Sequence, residues 1–294
     1  MDPKKLTGTG VAIVTPFRKD DSIDFKSLGK LLDHIVKGGV NYIVALGTTG
    51  ESVTLSKDEK KAVINFVTDT VCGKIPVVVG IGGNNTAEIL DTINHTDFTG
   101  VDAILSVSPY YNKPSQQGLY MHYKSIANTS PVPVIIYNVP GRTGSNITAE
   151  TTVKLANDCK SIIATKEASG NLPQIMQIIN NKPKGFQVIS GDDVLALPII
   201  AMGGAGLISV SANAYPSEVS TMVNYALKGD LNKACPIHYK LLDITNALFE
   251  ECNPSGIKAL LEILKIAPNN LRMPLTPVNE KLQSKIELLA KKIK

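Results

Sequence analysis

The stretch SIIATKEASGN (161–171) begins as a run of β-branched and small apolar residues and ends on Lys166 and Glu167 side by side. A lysine is among the residues least often buried without a partner. An amine at the end of such a run therefore needs either an ion-pair partner or a chemical task, and its place in the fold distinguishes the two.

Runs of the same kind recur along the chain. GVAIVTP (10–16), NYIVALG (41–47), IPVVVGIG (75–82), VDAILSVSP (101–109) and VPVIIYNVP (132–140) precede it; FQVISG (186–191) and GLISVS (206–211) follow. With SIIATK (161–166) they make eight candidate strands. Apolar residues at nearly every position suit strands covered on both faces, as in a parallel sheet. Helical periods fill the gaps. FKSLGKLLDHIVKGG (25–39) repeats apolar residues every three or four positions and closes on two glycines. SKDEKKAVINFVTDTV (56–71) opens with Ser56 and Glu59 at capping-box spacing. Thr86, Ser115, Thr148 and Asn171 are candidate caps for later helices.

Eight evenly spaced βα units predict an α/β fold, a (β/α)8 TIM barrel over residues 1–228. Residues 229–294 carry only helical patterns, as in KACPIHYKLLDITNALF, SGIKALLEILKIA and NEKLQSKIELLAKKIK, and read as a C-terminal helical extension. A doubly wound sheet would rarely use eight such units. GIGGNN (80–85) lacks the third glycine of a dinucleotide-binding turn.

Composition narrows the function. Of 294 residues, 43% are hydrophobic and 19% charged, and the net charge of +4 is scattered apart from the terminal KKIK (291–294), which makes nucleic acid a poor candidate partner. No run approaches the roughly 18 apolar residues of a membrane span, and MDPKKLTGTGVAIVTPF lacks the apolar core of a signal peptide. Cys72, Cys159, Cys235 and Cys252 have no metal-ligand spacing and read as reduced thiols of a cytoplasmic protein. The four histidines are scattered. Neither a metal site nor a cofactor is expected.

Barrel enzymes build their sites at the C-terminal ends of the strands. Those ends read GTTGES (47–52), PYYNKPS (109–115), YNVPGRTG (137–144), KEASGN (166–171), SGDD (190–193) and SVSAN (209–213). The opposite rim carries ordinary turns: GKIP, TGVD and NKPKG. Lys166 either pairs with a carboxylate, packs its stem while its head reaches water, or acts as a Schiff-base nucleophile. An ordinary lysine, with a pKa of about 10.4, is almost wholly protonated at neutral pH, and an apolar strand end favours the neutral amine that imine formation needs. Glu167 should point to the opposite face by strand alternation. Tyr137 could move protons to and from the carbinolamine, relayed by Thr48, Thr49, Tyr110 and Tyr111; the tyrosine pair could equally pack an interface. GTTG is either a plain turn or a carboxylate cradle. Arg142, between Gly141 and Gly144, has the fork geometry for a second carboxylate, or lies on the solvated surface.

Together these motifs resemble the dihydrodipicolinate synthase family of pyruvate-dependent class I aldolases, which also includes N-acetylneuraminate lyase. The resemblance runs from GVAIVTPF through RMPLTPV (272–278), with GTTGES, PYYNKPSQQGLY, YNVPGRTG, KEASGN and SGDD in order. It implies that Lys166 condenses with pyruvate, that Tyr137, Thr48 and Tyr111 form a proton relay, and that Tyr111 serves the neighbouring subunit's site. Thr49 would hold the pyruvate carboxylate, Gly191 and Ile208 would line the pocket, and Arg142 would receive the carboxylate of L-aspartate 4-semialdehyde. The product would be 4-hydroxy-tetrahydrodipicolinate, on the route to diaminopimelate and lysine. Sialic-acid lyases carry small or apolar residues where this chain has Arg142, so the arginine favours the synthase over another pyruvate aldolase. The resemblance also implies a homotetramer built as a dimer of dimers. Ser52, Asn84, Glu88 and Tyr110 match the allosteric pocket of lysine-inhibited relatives, but Lys57 and Lys60 stand where those relatives have histidines. Two ammonium groups there should repel a cationic effector.

Overall fold

A computed structural model describes residues 2–293. Eight parallel strands close on themselves in chain order: β1 (Gly8–Ala12), β2 (Tyr42–Ala45), β3 (Val77–Gly80), β4 (Ala103–Val107), β5 (Val134–Asn138), β6 (Ile162–Glu167), β7 (Gln187–Ser190) and β8 (Gly206–Ser209). The β1–β8 pairing completes the ring. Around it lie α1 (Phe25–Lys37), α2 (Lys57–Val71), α3 (Thr86–His95), α4 (Gln116–Thr129), α5 (Pro140–Thr143), α6 (Ala149–Asp158), α7 (Leu172–Asn181), α8 (Ala196–Ala201) and α9 (Pro216–Leu227). Then come α10 (Leu231–Phe249), α11 (Ser255–Ile263) and α12 (Glu280–Ile293). The expected (β/α)8 barrel is therefore present. Lys294 of the basic tail lies outside the described residues.

The apolar residues divide into two cores. The larger lies between the strands and the helices and includes Leu31, Ile35, Val67, Ile104, Ile136, Ile178 and Leu260. The smaller fills the barrel itself, with Leu6, Tyr42, Val44, Val78, Leu105, Ile135, Tyr137, Ile189 and Ile208. Strand alternation sorts the side chains: in β5, Ile135 and Tyr137 face inward and Ile136 faces the helices. Tyr42 needs room that only a glycine opposite can leave; a Cβ on Gly10 would sit 2.2 Å from its ring. β1 starts at Gly8, two residues before the apolar run that marks it in the sequence. Gly8 and Gly10 pair with the neighbouring strands but carry no apolar side chain to signal it.

Helix starts follow the caps with one exception. Ser56 and Glu59 form a reciprocal capping box, and Ser115, Thr148 and Asn171 cap α4, α6 and α7. The cap of α3 is Asn85, not Thr86. The Asn85 side chain accepts from the Ala87 amide, while the Thr86 hydroxyl bonds the His122 ring at 2.8 Å.

Candidate active site

The register of β5 on β6 places Tyr137 beside Lys166, and that of β6 on β7 places Lys166 beside Ile189. All three lie inside the barrel at the strands' C-terminal ends. Lys166 is 6% exposed, and its Nζ sits 4.3 Å from the centre of the Tyr137 ring. Gly191 follows at the end of β7. A Cβ there would lie 2.8 Å from Ala168 and 2.9 Å from Lys166 Cε, so any larger residue would push the lysine arm aside. Ile208, fully buried on β8, is part of the same inner wall.

Burial keeps the Lys166 head from solvent, and a second buried lysine separates its remaining roles. Lys258, on α11, is 1% exposed and forms an ion pair with Glu51 of the GTTGES loop. It also donates to the Asn270 carbonyl at 2.8 Å and lies 4.3 Å from the Phe17 ring centre. Burial draws its ammonium below the usual lysine range, and Glu51 opposes that shift. Lys166, by contrast, forms no ion pair among the described residues. The structural salt bridge belongs to Lys258, and Lys166 is the buried lysine without a carboxylate.

Glu167 points away from Lys166, as alternation requires, into the layer between β6 and the helices. It accepts from Asn138 Nδ2 at 2.7 Å and from Ser169 Oγ at 2.6 Å, and it is fully buried. Burial pushes its carboxyl from 4.5 up to about 7, against those hydrogen bonds. A raised folded pKa means the folded state favours the protonated acid, so the group contributes most below about pH 4.5 and least above about pH 7. Glu167→Gln stays neutral throughout. It should gain stability relative to the wild type as the pH rises across that window, by about 3 kcal/mol at most. Urea unfolding of both chains at about pH 5 and about pH 8 checks this; a difference independent of pH would contradict it.

GTTGES leaves β2 through Leu46, at φ 57°, and turns again at Glu51, at φ 53°, before closing on Ser52. Thr49 is buried, Thr48 half-buried, and Thr15 Oγ1 donates to the Gly50 carbonyl at 2.7 Å. Thr49 Oγ1 accepts from Asn253 Nδ2 at 3.0 Å, and the Asn253 carbonyl accepts from Arg142 Nη2 at 3.2 Å. The arginine stands exposed on α5 after β5. One residue of the C-terminal segment thus joins the two candidate carboxylate-binding groups.

Tyr111 is not part of this cluster. It is 89% exposed at φ 73°, on the loop after β4, and projects away from its own chain's barrel. Tyr110 is partly exposed, and Asn84 Nδ2 donates to its carbonyl at 3.3 Å. Ser52 begins a short 3-10 turn, while Glu88 and Lys57 are exposed in the first turns of α3 and α2. Burial, and then the charge of Lys57, holds Lys60 below the ordinary lysine range. SGDD has an internal structural role: Asp193 accepts from Ser209 Oγ at 2.5 Å and from the Val210 and Ser211 amides.

Sequence reasoning missed Asn253, Lys258 and the bracing role of Glu51. The available signals were the NP pair after α10 and a lone lysine in the apolar run SGIKALLEIL.

Comparisons with known proteins give the family and the fold. The profile of the Dihydrodipicolinate synthetase family matches residues 5–293. A 4-hydroxy-tetrahydrodipicolinate synthase of Flavobacterium psychrophilum is 49% identical over 286 residues, covering 97% of this chain and 98% of the relative. Among solved structures, the dihydrodipicolinate synthase of Aquifex aeolicus superposes with TM-score 0.94 at 40% identity, with 98% of each chain covered. A monomeric dihydrodipicolinate synthase variant superposes with TM-score 0.97 at 38% identity, over 99% of this chain and 98% of that one. With a whole-chain family match, close relatives at this identity and one shared barrel, the chain belongs to the dihydrodipicolinate synthetase family.

Proposed function

We propose that this protein is a Schiff-base-forming lyase that condenses pyruvate with L-aspartate 4-semialdehyde to give 4-hydroxy-tetrahydrodipicolinate, in the cytoplasm. The observation that carries this reading is the buried, unpaired Lys166 against Tyr137 at the C-terminal ends of β5 and β6.

The free amine of Lys166 adds to the C2 carbonyl of pyruvate, and the carbinolamine loses water to give the iminium. Tyr137, with Thr48, carries the protons of these steps, and loss of a C3 proton gives the enamine. Thr49 holds the pyruvate carboxylate; Gly191 and Ile208 leave a close-fitting apolar wall around the lysine arm. Arg142 receives the carboxylate of the aldehyde substrate. The enamine carbon attacks the aldehyde, and the new alkoxide takes a proton from the relay. The amino group of the adduct then displaces Lys166 from the imine carbon, closing the ring and freeing the enzyme amine. All atoms of these steps come from the two substrates and water, so no cofactor is required.

Tyr111 completes the relay of a neighbouring copy. An exposed tyrosine held at positive φ on the barrel mouth is consistent with that use. The assembly is a homotetramer, a dimer of dimers. The barrel, residues 1–228, carries the covalent chemistry, and the extension, 229–294, braces the GTTGES loop.

A coupled assay with pyruvate and L-aspartate 4-semialdehyde tests the activity; no turnover of the pair would contradict it. Arg142→Ala should weaken use of the aldehyde by about 2–5 kcal/mol while sparing imine formation. Steady-state kinetics beside a pyruvate trapping assay checks this, and equal loss in both would remove the assigned role. Lysine should inhibit weakly or not at all, because Lys57 and Lys60 place two cations at the vestigial pocket. Strong inhibition in a titration with lysine would refute the expectation.

A further inference from the structure

Asn253 stands apart from the other residues near the mouth because it reaches both candidate anion-binding groups from outside the barrel. It lies between α10 and α11, is 6% exposed, and is separated from Thr49 by 204 positions in the chain. Its Nδ2 donates to Thr49 Oγ1 and its carbonyl accepts from Arg142, while its Oδ1 is buried with no partner among the described residues. A buried acceptor left without a donor is unfavourable. What its side chain does form is the bond from its donor end to the threonine.

A hydroxyl has one proton to give. When Thr49 Oγ1 accepts from Asn253, its own O–H remains free to donate, and a carboxylate in the mouth can only accept. We infer that Asn253 is a positioning residue that fixes the polarity of the Thr49 hydroxyl, so that it donates to the keto acid's carboxylate, while its backbone carbonyl holds the Arg142 fork for the second substrate. The segment can act in this way because it is anchored. Five residues on, Lys258 pairs with Glu51, two residues beyond Thr49 in the GTTGES loop. Donor and acceptor are thus held by two connections between the same pair of segments.

This inference rests on the proposed roles of Thr49 and Lys166, and the two can be tested separately. Asn253→Ala removes the donor. Asn253→Asp keeps the shape but reverses the polarity, because its carboxylate would accept the Thr49 O–H hydrogen bond and set a negative charge beside the incoming carboxylate. A purely structural role would make the near-isosteric aspartate the milder change. The polarity role predicts the opposite order.

The experiment measures pyruvate KM, aldehyde KM and the rate of borohydride-trapped imine formation for the wild type and both variants, with melting temperatures alongside. About a tenfold rise in pyruvate KM is expected for alanine and on the order of a hundredfold for aspartate, one to two decades being the usual range for a lost or reversed charge-assisted hydrogen bond. Aldehyde KM should change less in Asn253→Ala, where the carbonyl that holds Arg142 remains. In a Thr49→Val background, Asn253→Ala should add nothing to the pyruvate effect. Asn253→Ser replaces the alanine variant if that chain does not fold. An aspartate variant as good as, or better than, alanine overturns the inference. Failure of the wild type itself to trap pyruvate on Lys166 would instead overturn the reading of the site.

Discussion

Lys166→Ala is expected to lose on the order of 10^4-fold or more in turnover, the scale seen when a covalent nucleophile is removed. Thermal stability should change little or rise. The side chain is buried but has no ion-pair partner, so its removal breaks no salt bridge and leaves no carboxylate stranded. What disappears is the amine proposed to add to the carbonyl and its contact with the Tyr137 ring. Pyruvate should still bind through the loop hydroxyl and amides, so the loss should fall on kcat and not on affinity. The coupled assay, with pyruvate binding followed by calorimetry on the same variant, checks both halves. A variant retaining more than about one per cent of activity would be inconsistent with covalent catalysis at this position.

Lys258→Met should produce the reverse pattern. The change leaves Glu51 buried with its partner gone, and breaking a buried pair from one side typically costs about 3–5 kcal/mol. For a chain of this size that corresponds to a fall in melting temperature of roughly 6–12 °C. The backbone amide of Arg272 still reaches Glu51, at 3.2 Å, and the Arg272 guanidinium still pairs with Glu59 and bonds the Thr54 and Asp21 carbonyls. Those contacts limit the damage to the loop but cannot neutralise the Glu51 charge. Activity should fall too, because Glu51 closes the loop that carries Thr48 and Thr49. Adding Glu51→Gln should recover much of the stability, since the stranded charge is then removed. Scanning calorimetry on the two variants decides: a melting point within a degree of the wild type after Lys258→Met would show that the pair is not a brace.

The contrast between these lysines explains how far the site is legible in the chain. All eight strands show in the sequence because each lies in a run apolar at most positions, and the order of the polar ends around the mouth follows from parallel topology alone. Tyr137 beside Lys166 follows from strand alternation once β5 and β6 are neighbours. The start of β1 does not show, because Gly8 and Gly10 carry no apolar side chain; they leave room for Asn41 and Tyr42 respectively. Asn85 and Thr86 are both capping residues, and only the alternative partner of Thr86, His122, separates them. Asn253 and Lys258 are hidden for a different reason. Thr49 and Glu51, their partners in the GTTGES loop, lie more than 200 positions away in the chain, and nothing local distinguishes a lysine that will meet Glu51 from one that will reach solvent. Tyr111 is legible as a residue but not as part of the chain's own site, since its side chain lies outside the barrel that the rest of the motif enters.

The most direct measurement is borohydride reduction of the wild-type protein in the presence of pyruvate, followed by intact mass and peptide mapping. The account predicts a single adduct per chain, carried by Lys166 and absent when pyruvate is omitted. No adduct, or an adduct on Lys258 in place of Lys166, would contradict it.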